Sequence, residues 1–144
     1  MEYRKDRSTN VPFSLHDSRI QRINVTEDTL CLGMDRIFQY QDDGERTFEG
    51  SILFTRTDVE ECSILIFDHP FGYDGVKEFS GKRISLEEFQ EKYPKAEFEI
   101  TTEGYHGYDT MFQGWLWNQE NDPVFAILNI WNTGDMIYQV GETL

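Results

Sequence analysis

Two runs near the C-terminus constrain the fold more than any other part of the chain. In YDTMFQGWLWN (residues 108–118), Met111, Trp115 and Trp117 fall on one side of an extended strand and Phe112 and Leu116 on the other; VFAILNIWN (residues 124–132) repeats this two-sided apolar character. Successive side chains of a strand point to opposite faces, so a strand apolar on both predicts cover on both. These two strands are expected at the centre of a sheet, joined by a hairpin over residues 118–123. Asn132-Thr133-Gly134 marks the next turn, and Met136, Tyr138 and Val140 end the sheet.

The same period of two runs through the rest of the chain. Ala96, Phe98 and Ile100 alternate with Glu97, Glu99 and Thr101. Ile23 and Val25, a turn at Thr26-Glu27-Asp28, and Leu30, Leu32 and Met34 predict a hairpin. Ile20 has the wrong parity to join Ile23, which predicts either a β-bulge near Gln21-Arg22 or a corner preceding the strand. Asp42-Asp43-Gly44 is a turn, followed by Phe48, Gly50, Ile52 and Phe54 on one face. After a further turn at Thr57-Asp58 come Cys62, Ile64 and Ile66, and then HPFGYDG (69–75) breaks the sheet.

One helix interrupts the strands. Ser85-Leu86-Glu87-Glu88 fits a capping box, Leu86, Phe89 and Tyr93 make an apolar side, and Pro94 blocks continuation, so a helix is expected over about 85–93. The predicted fold class is α+β and mainly antiparallel β. It takes the form of a curved sheet or a two-layer β-sandwich or open barrel with that single short helix. Residues 1–10 are polar and expected to be flexible, leaving 11–144 as a single mainly β domain. At 144 residues such a domain buries roughly 65–70% of its extended-chain surface, so it needs no disulfide or metal to fold.

Charge narrows the partners. With 27 Asp and Glu against 13 Lys and Arg, the formal charge of −14 opposes nucleic acid and anionic membranes; it serves solubility alone, or else attracts a basic protein partner. No secretory signal follows the polar N-terminus and no apolar run approaches a membrane span, so a cytoplasmic location is expected. Cys31 and Cys62 lack metal-ligand spacing and read as two buried thiols. No cofactor, metal or nucleophile motif is present: the chain has no GxGxxG, GxxxxGK[ST], HExxH, GxSxG or EF-hand pattern.

Three groups of residues remain as candidates. His16 and Asp17 are adjacent, and in an extended chain they would point apart, so the pair reads as a fold-starting corner rather than a base with its orienting carboxylate. His16, His69 and His106 would form a metal or acid–base site only if their separate loops converged. Trp115, Trp117, Phe125 and Trp131 would line a ligand cavity in an open barrel, or else fill the core beneath the helix. The loops HPFGYDG and EGYHGYDT interleave Gly, Tyr and Asp, a mixture suited to contact surfaces. The candidate binding residues are therefore His16, Asp17, His69, Phe71, Tyr73, Tyr105, His106 and Tyr108.

The segment LHDSRIQRINV, followed by TEDTLCLGM and by SILFTRTDVEECSILIF, resembles a recurring pattern in small uncharacterised bacterial proteins. Some of these resemble immunity proteins of polymorphic toxin systems, in which a His-Asp-x-x-Ile segment introduces the first hairpin of a mainly β domain. The matching positions are His16, Asp17 and Ile20; Ser18-Arg19 stands in place of a small-plus-acidic pair. The resemblance covers the first third to half of the chain. It implies a non-catalytic protein that binds and blocks a partner. The expected function is thus a binding or interaction protein, with a small-molecule-binding β domain and a histidine-based enzyme as alternatives. An exposed edge strand would also permit a homodimer.

Overall fold

The alternating apolar pattern carries nearly all of the chain into strand. The structure, a computed structural model, describes residues 1–5, 10–69 and 80–144. Among these lie β1 (Glu2–Lys5), β2 (Arg19–Thr26), β3 (Thr29–Gln41), β4 (Gly44–Phe54), β5 (Ser63–Phe67), β6 (Gly81–Ile84), β7 (Glu97–His106), β8 (Asp109–Trp117), β9 (Val124–Trp131) and β10 (Met136–Thr143). One helix, α1 (Leu86–Lys92), follows β6, and a 3-10 turn, Val59–Glu61, precedes β5. The strands form one open antiparallel sheet in the order β1-β10-β4-β3-β2-β7-β8-β9-β5-β6. Four-residue strands, β1 and β6, stand at its two ends.

The two halves of this sheet share one core. Phe54 of β4 meets Phe112 of β8 edge-to-face at 6.5 Å, and Leu30, Leu32 and Ile52 of one half join Ile64, Leu116 and Leu128 of the other in one buried cluster. Only one face of a bent sheet can turn inward.

The halves are joined where β2 meets β7, over two residue pairs, Arg19 with Glu99 and Ile20 with Phe98. The corner before β2 extends that join. Ser18 N–H donates to the Leu15 carbonyl at 2.9 Å, closing a turn in which Asp17 has φ +68°. Asp17 N–H then donates to the Ile100 carbonyl at 2.7 Å, and Ile100 N–H to the Ser18 carbonyl at 2.9 Å. Leu15 and Ser18 are fully buried there. On the outer side, the Arg19 guanidinium lies 4.7 Å from the Trp117 ring centroid, 3.2 Å from Glu97 Oε1 and 3.7 Å from Glu99 Oε1.

Beyond Ile20 the pairing of β2 with β3 shifts register before Arg22, so of the two arrangements that the parity of Ile20 allows, the bulge is the one that forms. From there β2 parts from β7, and α1 covers the departing edge: the Gln90 side-chain amide donates to the Ile23 carbonyl. Burial of Leu86 and Phe89 anchors the helix. It is shorter than expected, with Tyr93 as its C-cap, and half of the capping box forms. The Ser85 hydroxyl accepts from Glu88 N–H at 3.1 Å, while the Glu88 carboxylate pairs with Lys92 one turn on.

Two expectations are corrected. Strands β8 and β9 are not covered equally on both faces: Phe112, Leu116, Ala126, Leu128 and Ile130 are buried, whereas Met111, Trp115, Trp117, Phe125 and Ile127 are half-buried and Trp131 is exposed. The outer side chains shelter one another across strands instead. Trp115 meets Phe125 at 6.0 Å and Phe125 meets Phe67 at 5.4 Å. Nor is the whole of residues 1–10 loose, since Glu2–Lys5 pair with β10; a ladder of backbone hydrogen bonds needs no apolar sequence, and Tyr3 adds a ring contact to Phe13 at 4.9 Å.

The join between the halves should be sensitive to small changes. Arg19→Ala is expected to lower stability in urea by about 1–2 kcal/mol through loss of the cation–aromatic and ion-pair contacts. Gly114→Ala should cost more, about 1–3 kcal/mol, because a Cβ there would overlap the Glu99 carbonyl oxygen on the neighbouring strand. A linear-extrapolation urea series checks both, and an unchanged midpoint in either variant would contradict this account.

Candidate functional site

One irregularity in β7 decides which side chains reach solvent at the far end of the sheet. Phe98 and Ile100 point into the core, and unbroken alternation would send Thr102, Gly104 and His106 the same way. The pairing with β8 instead shifts register between Ile100 and Thr102, and the Thr101 hydroxyl donates to the Gln113 carbonyl at 3.1 Å. Glu103 and Tyr105 therefore come opposite Phe112 and Thr110 on the inner face, and His106 comes opposite Asp109 on the outer face. EGYHGYDT is thus not a loop but the tip of a continuous hairpin. Its turn is Gly107-Tyr108 alone, with Gly107 at φ +60°.

On the inner side the tip is tied to the body by a polar cluster. Glu103 Oε1 accepts from the Tyr105 hydroxyl at 2.8 Å, and Glu103 Oε2 accepts from Leu15 N–H at 3.3 Å. Tyr138 of β10 is 1% exposed and interacts with both groups. Burial first, and then the neighbouring Glu103 charge, push the Tyr138 phenol well above its ordinary value of 10.0; burial, with Tyr138 and Glu103, does the same to Tyr105. The Tyr105 ring is still 43% exposed, with Lys5 Nζ 4.6 Å from its centroid. Lys5, Tyr105, Tyr108, Asp109, Asn132 and Thr133 line a cleft of about 520 Å³.

On the outer side the tip presents an aromatic pair among carboxylates. Tyr108 and Trp131 are 46% and 38% exposed and meet edge-to-face at 5.7 Å. Asp109 lies directly across from Trp131, its Oδ2 accepting from Asn129 Nδ2 at 3.2 Å. The 3-10 turn brings up Asp58, Glu60 and Glu61, with Asp58 N–H donating to the Trp131 carbonyl at 3.0 Å. Buried beneath them, the Cys62 thiol is pushed up by desolvation and then by the charges of Asp58, Asp109 and Glu61, against a lowering contact from the Trp131 backbone. Asp58, Glu61 and Asp109 thus share one neighbour, the Cys62 thiol. Among the described residues, no Lys or Arg lies within ion-pair distance of Asp58, Glu60, Glu61 or Asp109.

The remaining sequence candidates divide. His16 and Asp17 do form the expected corner, but their side chains meet, with His16 Nδ1 3.1 Å from Asp17 Oδ2. The left-handed backbone at Asp17 replaces the extended geometry that would have parted them. Both side chains are more than half exposed.

His16, His69 and His106 do not converge. The corner bearing His16 docks along β7 from Ile100 to Glu103, whereas His106 stands on the outer face opposite Asp109. His69 follows β5 past Phe67, toward the end of β9 that begins at Val124, opposite the end at Trp131. No group of three potential metal ligands occurs among the described residues. Phe71 and Tyr73 lie outside the described residues.

Trp115, Trp117 and Trp131 stand on the outer face and line neither the cleft at the hairpin tip nor the groove beneath α1, and none of them fills the core. Cys62 is buried, as expected, whereas Cys31 is half-buried. Lys5, Glu103 and Asp58 were not foreseen as parts of this end. Only the bulge brings Glu103 inward, and nothing in TTEGY marks it.

No family model, curated protein or solved structure matches the chain. Among the described residues no helix is long and apolar enough to cross a membrane.

The raised phenol of Tyr138 has a pH signature. As pH climbs past 10 the unfolded chain releases its proton first, so stability present below that value is progressively lost above it. The expected slope from this group is about 1.4 kcal/mol per pH unit. Tyr138→Phe should flatten the fall by that amount in urea titrations between neutral and strongly alkaline pH, and an unaltered slope would contradict the buried-phenol reading.

Proposed function

We propose that the chain is a non-catalytic, cytoplasmic binding protein. It engages a basic protein partner through the outer side of the β7–β8 tip, in the manner of an immunity protein. The observation that carries this reading is the exposed Tyr108–Trp131 pair beside Asp58, Glu61 and Asp109, which no Lys or Arg among the described residues joins. Tyr and Trp are the residues on which binding energy concentrates, because each brings a large contact area at low entropic cost. Carboxylates around them, on a chain of charge −14, draw a basic partner in and hold its register. His106 stands on the same outer face, opposite Asp109. Tyr105, on the inner face, positions the tip through Glu103. We read the bent sheet, with two halves around one core, as a two-layer scaffold stiff enough to present this tip.

Affinity capture tests the reading. The native chain is expected to retain one basic protein at about 50 mM salt and release it toward 500 mM, as screened charge pairs require. A Tyr108→Ala/Trp131→Ala variant should lose at least about 2 kcal/mol of binding, and Asp58→Lys/Asp109→Lys should abolish capture, with thermal transitions unchanged. Undiminished capture by both variants, or retention of acidic proteins only, would overturn it.

A further inference from the structure

The chain displays one complete example of how its outer face holds an arginine. Glu97 of β7 stands directly across from Trp117 of β8, and the Arg19 guanidinium joins them, 4.7 Å from the indole and 3.2 Å from the carboxylate. At the other end of the same face, Asp109 of β8 stands directly across from Trp131 of β9 in the same cross-strand relation. Asp58 and Glu61 add charge there, and no cation of the described chain joins them.

We infer that an arginine of the partner completes this second set, its guanidinium stacked on Trp131 and paired with Asp109. The inference rests on the binding-protein reading above and deepens it.

The chemistry favours arginine over lysine. A guanidinium is planar, stacks on an indole and presents a fork of donors to a carboxylate, whereas an ammonium is a compact, strongly hydrated point charge. Directly paired residues on neighbouring strands have Cβ atoms roughly 5 Å apart, so one flat group can touch both an indole and a carboxylate. Asn129 restrains the receiving carboxylate through Oδ2, and Tyr108 packs against the indole, so both partners are held in place beforehand. Arg19 shows the same three groups assembled on a single chain.

The test uses the intact protein and two short peptides, acetyl-Gly-Arg-Gly-amide and acetyl-Gly-Lys-Gly-amide. The three tryptophans give three indole N–H signals in a nitrogen–proton correlation spectrum, two of which serve as internal controls. The arginine peptide is expected to move the Trp131 indole and the Asp109 amide while leaving Trp117, already occupied by Arg19, in place. The lysine peptide should bind several-fold more weakly, and Asp109→Asn should weaken the arginine peptide roughly tenfold without loss of spectral dispersion. Equal shifts from the two peptides, equal movement of all three indoles, or no movement of Trp131 at tens of millimolar peptide would overturn the arginine seat. The two readings separate cleanly. Partner capture that survives Trp131→Ala but fails with Asp58→Lys/Asp109→Lys removes the seat and keeps the acidic surface. A Trp131 shift with arginine peptide, without any captured protein, keeps the seat and removes the protein partner.

Discussion

The bend of this sheet rests on a join of two residue pairs. Among the described strands, β2 and β7 pair to connect β1-β10-β4-β3-β2 with β7-β8-β9-β5-β6. So short a ladder would fray alone. It is lengthened by the two backbone hydrogen bonds between the corner at Asp17-Ser18 and Ile100, clamped outside by Arg19, and backed inside by Leu15, Ile20 and Phe98. Its brevity is also what lets the sheet bend, because two strands that part after two pairs can diverge and bring Phe54 over Phe112. The gap this leaves beside β2 is the place α1 fills.

Much of this architecture was legible. The hairpin turn at Asp42-Asp43-Gly44, the hairpin joining β8 to β9, the Ser85 cap and the inward rows of Leu30, Leu32, Ile52 and Leu128 follow from period and turn chemistry, which are local. The bulge near Gln21-Arg22 was legible for the same reason: Ile20 broke parity with an apolar residue. The bulge at Thr101 broke it among polar residues, where either face is chemically acceptable, and so left no trace. That one silent shift moved Glu103 and Tyr105 inward and His106 outward at the tip that carries Tyr108. The corner at Asp17 was legible, but the contact between its side chain and His16 was not, since a residue in the left-handed conformation can turn its side chain back upon its neighbour.

The tryptophans teach a related lesson about burial. Apolar residues on both faces of β8 and β9 suggested two covered sides, yet a single bent sheet has one interior. The outer aromatics are accommodated by lying against each other, against Arg19 and, at Trp131, against Tyr108. A face of this kind is neither core nor ordinary surface. Its rings are already ordered, which lowers the entropic cost of contact with another molecule.

The outermost strands set how the sheet meets other chains. Strand β1 shows Glu2 and Arg4 among its exposed residues, with Arg4 held to Asp135, and β6 carries Lys82 and Arg83. Backbone added at either margin would find four residues of ladder and, beside them, charged side chains that must be stripped of water. Extending the sheet at either margin therefore carries the cost of desolvating these charges, a cost set by side chains and not by the backbone ladder itself.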